Sequence, residues 1–188
     1  VAGTPSEGSV RLEEVNRMSR DEFVATFGRL FHGETAVVGH AYDRRPFADT
    51  DALRTAFQEA LFAAPREEQR ALMAEYPDLG GLDIDEDSER DQSSAGLTRL
   101  ADEDQQEFQS LAATYRERFG IPLIVCVRDA HNRDHILRDG ALRLTNSPAQ
   151  EHAAALIEIA KVANHRFADL VADANPIHSA RTSWTHSR

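Results

Sequence analysis

A chain of 188 residues with 41% hydrophobic and 28% charged side chains fits one globular domain, which excludes wholesale disorder, collagen-like repeats and a disulfide scaffold. Acidic residues number 32 against 21 basic ones, and the resulting net charge of −11 repels phosphate backbones and anionic lipid, so nucleic acid and membrane surfaces are not expected partners. Cys126 is the only cysteine, which leaves no internal disulfide and no cysteine-built zinc or iron–sulfur site, and which fits a reducing, cytoplasmic setting.

In chain order, residues 1–18 read as a flexible N-terminal segment with neither the basic nor the apolar region of a secretion signal. Ser19 and Glu22 then form a capping box, and Phe23, Phe27, Leu30 and Phe31 at i, i+4, i+7 and i+8 predict a helix over Arg20 to Phe31. A shorter helix over Thr35 to Tyr42 stops at Arg45-Pro46-Phe47, because the residue before a proline is pushed out of helical geometry. Asp49 or Thr50 caps a helix carrying Leu53, Phe57 and Leu61, and Pro65 suits the first position of another, which carries Leu72 and Met73 and stops at Pro77.

Tyr76 to Asp87 holds a proline, two glycines and five acidic residues and reads as a bent loop of the kind that carries function. Helices are expected again over Ser88 to Leu97 and Asp102 to Phe119, the latter with Phe108, Leu111, Tyr115 and Phe119 as a stripe and Gly120 as its stop. Leu123 to Val127 is apolar but too short for its period to tell strand, extended link and helical turn apart. A helix over Ile136 to Leu144 precedes Ser147-Pro148-Ala149-Gln150, a strong start signal for a long final helix with Leu156, Ile159, Ala163, Phe167 and Leu170 on one face. The sum is an all-α, single-domain bundle of about eight helices over residues 19–173, followed by a polar mobile tail over 174–188.

Most familiar chemical signatures are absent or broken. Asp83, Asp85 and Asp87 imitate the start of a calcium loop, but Ser88 and Ser94 stand where its glycine and closing glutamate belong. His131 and His135 have i, i+4 spacing without a visible third ligand, so no metal is expected. Burial in the run around Cys126 would make its thiol inert, and no Walker, dinucleotide or nucleophile-elbow motif occurs.

The informative residues are polar ones set at turns and helix ends between apolar faces: Tyr76 with Pro77-Asp78-Leu79-Gly80-Gly81, Ser88 with Asp91-Gln92, and Arg166 on the final helix. With Phe27-Gly28, Arg45-Pro46-Phe47, Ala95-Gly96-Leu97, Tyr115 to Gly120, Pro122 to Arg128 and Glu158 to Arg166 in the same order, the chain resembles the 2-oxo-4-hydroxy-4-carboxy-5-ureidoimidazoline (OHCU) decarboxylases over about Ser19 to Leu170. That resemblance implies an all-helical, cofactor-free enzyme that takes a small-molecule substrate, commonly as a homodimer, in the oxidation of urate to (S)-allantoin. It also implies that a histidine and a glutamate share acid/base work and positioning, while serine, glutamine and the final-helix arginine hold the substrate's oxygens.

The departures from the family pattern fall on the site motifs. Tyr76 stands where the family has histidine before PDLGG, Asp91 stands for the glutamate before Gln92, and His32, Gly33 and Thr35 replace the glutamate, histidine and proline that usually follow the first helix. A phenol titrates near pH 10 where imidazole titrates near 6.5, so Tyr76 would donate a proton and serve poorly as a base. The resulting expectation is a divergent lyase in which Tyr76, Asp91 and His32 are catalytic and Pro77, Ser88, Gln92 and Arg166 bind substrate, in a biosynthetic setting. Two further readings stay open, namely the ordinary urate-pathway reaction with His32 supplying the imidazole, and an inactive ligand-binding relative. Each residue also has a purely structural role open to it: Tyr76 as a packed ring, Asp91 as a solvated charge, Arg166 in an ion pair across helices, and His32 at a helix C-terminus, where its charge is worth about 0.3 to 1 kcal/mol.

Overall fold

The computed structural model describes residues 8–32, 35–79, 91, 93, 102–130, 132–172 and 174. Among them the chain forms α1 (Leu12–Val15), α2 (Arg20–Phe27), α3 (Thr35–Tyr42), α4 (Thr50–Ala63), α5 (Arg66–Ala74), α6 (Asp102–Phe119), α7 (Arg133–Arg143) and α8 (Pro148–Leu170), with short 3₁₀ turns at Gly28–Phe31 and Val127–Asp129. The described residues hold no strand, only an isolated parallel bridge between Val10 and Val171, and none of their helices is long and apolar enough to cross a membrane. The all-α bundle read from the hydrophobic period is the fold.

Local signals act where the sequence places them. Ser19 accepts the Glu22 N–H and Glu22 returns the bond, closing the box that starts α2. Asp49 accepts from the Ala52 N–H at 2.7 Å and starts α4, and Ser147 and Gln150 cap α8 with Pro148 at its first position. Gly120 ends α6 with φ +69°, a conformation that costs a residue with a Cβ but not glycine. Two starts shift slightly: Pro65 precedes α5 rather than opening it, and α7 begins at Arg133 because Asn132 accepts the His135 N–H at 2.9 Å.

Three readings need correction. The helix expected through Phe31 tightens to 3₁₀ geometry after Phe27, since the last turn of a helix often trades i→i+4 for i→i+3 bonds. Residues 8–18, expected to be flexible, are docked on the body. The Val10 N–H donates to the Leu170 carbonyl at 2.9 Å and the Ala172 N–H to the Val10 carbonyl at 2.8 Å, Val15 is fully buried, and the Asn16 side-chain amide pairs with both backbone groups of Phe47. Ala174, assigned to a mobile tail, is buried, and its carbonyl accepts from Arg54 Nη2 at 3.0 Å; residues 175–188 lie outside the described set.

The core is aromatic at its centre. Phe23, Phe27 and Phe57 bring α2 and α4 together with ring centroids 4.7 to 5.7 Å apart, and Phe167 of α8 meets Phe57 edge-on at 6.1 Å. These contacts fix α8 against the end of α2, which is what places the face of α8 described next.

Candidate active site

Of the run Leu123 to Val127, whose period was ambiguous, residues 123–126 lie in neither helix nor strand and Val127 opens a short 3₁₀ turn; Val125 is half-buried and the others are buried. Buried backbone polar groups need partners, and side chains supply them here. Arg143 Nη1 donates to the Ile124 carbonyl at 2.6 Å, and the Cys126 N–H donates to Glu158 Oε2 at 2.7 Å. Arg143 is held in turn by the fully buried carboxylate of Glu151, which also accepts from the Tyr115 hydroxyl and from Asn146 Nδ2. Burial, with the Glu151 hydrogen bond, pushes the Tyr115 hydroxyl well above its ordinary pKa, so it remains a donor.

One face of α8 zips onto this segment. Glu158, Val162, His165, Arg166 and Asp169 recur at helical spacing and point the same way. Between that face, residues 123–128, the end of α5 and the turn after α2 lies a cavity with about 460 Å³ of empty space, counted to its open mouth. His32, Tyr76, Pro77, Asp91 and Arg166, five of the seven residues expected to form the site, line it together. The other two, Ser88 and Gln92, lie outside the described residues.

The floor of the cavity is an ion network. Asp91 Oδ2 accepts from Arg166 Nε at 3.1 Å and Nη2 at 3.0 Å, while Asp91 Oδ1 accepts from Arg128 Nε at 2.6 Å. Arg166 Nη1 also reaches the Arg29 carbonyl at 2.9 Å, and Arg128 Nη1 meets Asp169 Oδ2 at 2.7 Å. The side chains of Asp91 and Arg166 are only 9% and 5% exposed, so these are desolvated charges and not surface pairs. Burial alone would lower the pKa of Arg128, but the bonds and charges of Asp169 and Asp91 outweigh it and raise that pKa. Asp91 is therefore no solvated surface charge, and the ion pair weighed for Arg166 is made to another residue of the same site.

Another part of the lining carries imidazole and phenol. His32 follows the 3₁₀ turn in the left-handed region, φ 53° and ψ 36°, a conformation that histidine visits more readily than bulkier residues. Its ring lies 4.2 Å from that of Tyr76, centroid to centroid, with the planes tilted by 57°. Tyr76 is both a packed core ring and part of the cavity wall.

Beyond apolar residues, the lining includes three ionisable ones that were not foreseen as site residues: Arg128, His165 and Cys126. Arg128 closes an apolar run and His165 directly precedes Arg166, so the signal for both was their register with residues whose facing was known. Cys126 is buried as expected, and desolvation together with the charge of Asp129 pushes its thiol up to about 12. His135 pairs with Asp139 at 3.1 Å, while His131, Asp83, Asp85 and Asp87 lie outside the described residues.

Comparison with known proteins adds three findings. The sequence profile of the OHCU decarboxylase family matches residues 16–168. The 2-oxo-4-hydroxy-4-carboxy-5-ureidoimidazoline decarboxylases of Haloferax volcanii and Mus musculus are 38% and 35% identical to this chain, over 84% and 89% of it and 94% and 96% of their own lengths. A crystal structure of OHCU decarboxylase in the presence of (S)-allantoin superposes with a TM-score of 0.67 at 16% identity, covering 83% of this chain and all of that one, which establishes a shared fold.

Proposed function

The chain belongs to the OHCU decarboxylase family, and from that premise we propose that it is a lyase which decarboxylates OHCU, with His32 of the neighbouring turn supplying the imidazole that Tyr76 displaces. The observation that carries the reading is the 4.2 Å approach of the His32 and Tyr76 rings in the cavity that also holds Arg166 and Asp91.

Decarboxylation without a cofactor leaves an electron pair that must be spread into the substrate while donors stabilise the growing negative charge. Arg166 and Arg128 would hold the carboxylate and carbonyl oxygens, with Asp91 fixing both guanidinium groups in orientation. The C–C bond to the carboxylate breaks, carbon dioxide leaves, and the electron pair passes to the ring's conjugated nitrogen and oxygen atoms. The His32 imidazole, with the Tyr76 hydroxyl beside it to replenish the proton, would then protonate the carbon from one face, which is how a chiral product would arise. Pro77, Ser88 and Gln92 complete the proposed binding set.

The experiment supplies freshly formed OHCU and follows the optical rotation of the allantoin produced, with and without protein. Enrichment of the (S) form supports the reading, and racemic product at the uncatalysed rate refutes it. A second reading is favoured by Tyr76 itself, whose phenol is a weaker base than the imidazole it replaces: a divergent lyase for another small carboxylated heterocycle, in a biosynthetic setting. Carbon dioxide release from such compounds but not from OHCU would select it. Tight binding of OHCU or allantoin without turnover would instead indicate an inactive relative. The family habit of pairing supports a homodimer, which light scattering on the purified protein would read.

A further inference from the structure

We propose that Cys126, Asp129 and His165 form a binding site for one divalent cation of the zinc and cobalt class at the rim of the cavity. One donor atom from each residue, a sulfur, a carboxylate oxygen and a ring nitrogen, lies within 4.8 Å of the other two. The sequence shows no metal motif because the fold assembles the set from two elements.

Cys126 precedes and Asp129 ends a 3₁₀ turn closed by the Asp129 N–H on the Cys126 carbonyl at 3.1 Å. At three residues per turn, side chains at i and i+3 point the same way, so the turn itself brings thiol and carboxylate together. The zipped face of α8 carries His165 across to them, its Nε2 lying 2.6 Å from Asp129 Oδ1. The turn is pinned from both ends, by the Cys126 N–H on Glu158 and by Arg128 on Asp91 and Asp169, so the donors are preorganised.

A mixed sulfur, nitrogen and oxygen set favours borderline ions over magnesium or calcium, which take six or more oxygens. Three protein donors leave room in a tetrahedral shell for a fourth ligand, and Cys126 and His165 both line the cavity from which water or an anion would reach it. Binding would break the Asp129–His165 hydrogen bond, and the Sγ–H proton would pass to solvent as the sulfur–metal bond forms.

The test titrates tag-free, chelator-stripped protein with cobalt(II) and follows its absorption spectrum. The expected result is a thiolate-to-cobalt charge-transfer band saturating at one equivalent and displaced by zinc(II). Cys126→Ser should abolish the band, and His165→Gln, at a partly exposed position, should weaken binding at least tenfold while the metal-free unfolding midpoint stays within a few degrees of the parent. No such band, a band that survives Cys126→Ser, or unchanged affinity in His165→Gln overturns the site. Because the readout is spectroscopic, it is independent of whether the protein decarboxylates OHCU.

Discussion

The two walls of the cavity are built on opposite electrostatic plans. On one, His32 and Tyr76 place an imidazole and a phenol ring against ring, groups that gain and lose protons during a reaction. On the other, Arg128 and Arg166 are fixed cations, each compensated by carboxylates: Asp91 on both and Asp169 on Arg128. The first wall is suited to moving protons and the second to holding charge still. An anion entering the cavity would meet guanidinium donors that Asp91 already engages.

The contrast can be broken by removing one wall at a time. The largest effect is expected from His32→Gln, which should lower kcat on OHCU by about 10²- to 10⁴-fold, the usual worth of a positioned acid or base, with little change in the urea midpoint. A drop below tenfold would take His32 out of the chemistry. Arg166→Met should instead cost stability, on the order of 3 kcal/mol in urea unfolding, because it leaves the buried Asp91 carboxylate and the Arg29 carbonyl short of donors. Adding Asp91→Asn to that variant should recover part of the loss, and strict additivity would mean that the two residues do not act as a unit.

Tyr76→Phe is expected to reduce turnover about tenfold while KM changes less, since only the proposed proton-donor step loses its hydroxyl. An equal rise in KM would recast Tyr76 as a binding group.

The smallest effect lies outside the cavity. His152 of α8 is buried with Nε2 2.8 Å from Gln69 Oε1, and burial together with the charges of Arg66 and Arg70 lowers its pKa below the ordinary 6.5. The unfolded chain then binds the proton more readily than the folded one. Stability should accordingly be full above about pH 6.5 and fall as the pH drops through that value toward the folded pKa. His152→Gln should flatten the dependence of the urea midpoint between about pH 7 and 5, and an unchanged slope would assign that slope to other groups.

Most helices were legible because their signals are local. A capping serine, a proline at the first turn and a repeat near 3.6 act within a few residues, so Ser19, Asp49 and Ser147 start helices in the structure as they do on paper. The end of the first long helix was less legible. Period alone carries Leu30 and Phe31 on with Phe27, and only packing against α8 shows that the last turn tightens and swings His32 into the left-handed region. The docking of residues 8–18 was invisible for a similar reason, since the partners of Val10 and Asn16 are Leu170, Ala172 and Phe47, far away in the sequence.

For the site, the sequence by itself determined an all-helical body, the family, and five residues that line one cavity, because those rest on residue type and order along the chain. Tertiary structure alone decided that residues 123–126 lie outside helix and strand with side chains meeting the Ile124 carbonyl and the Cys126 N–H, that Asp91 bridges two arginines, and that Cys126, Asp129 and His165 converge. Those arrangements depend on hydrogen bonds and charges brought within a few ångströms across 19 to 75 positions of sequence, a closeness that no local pattern of residues encodes.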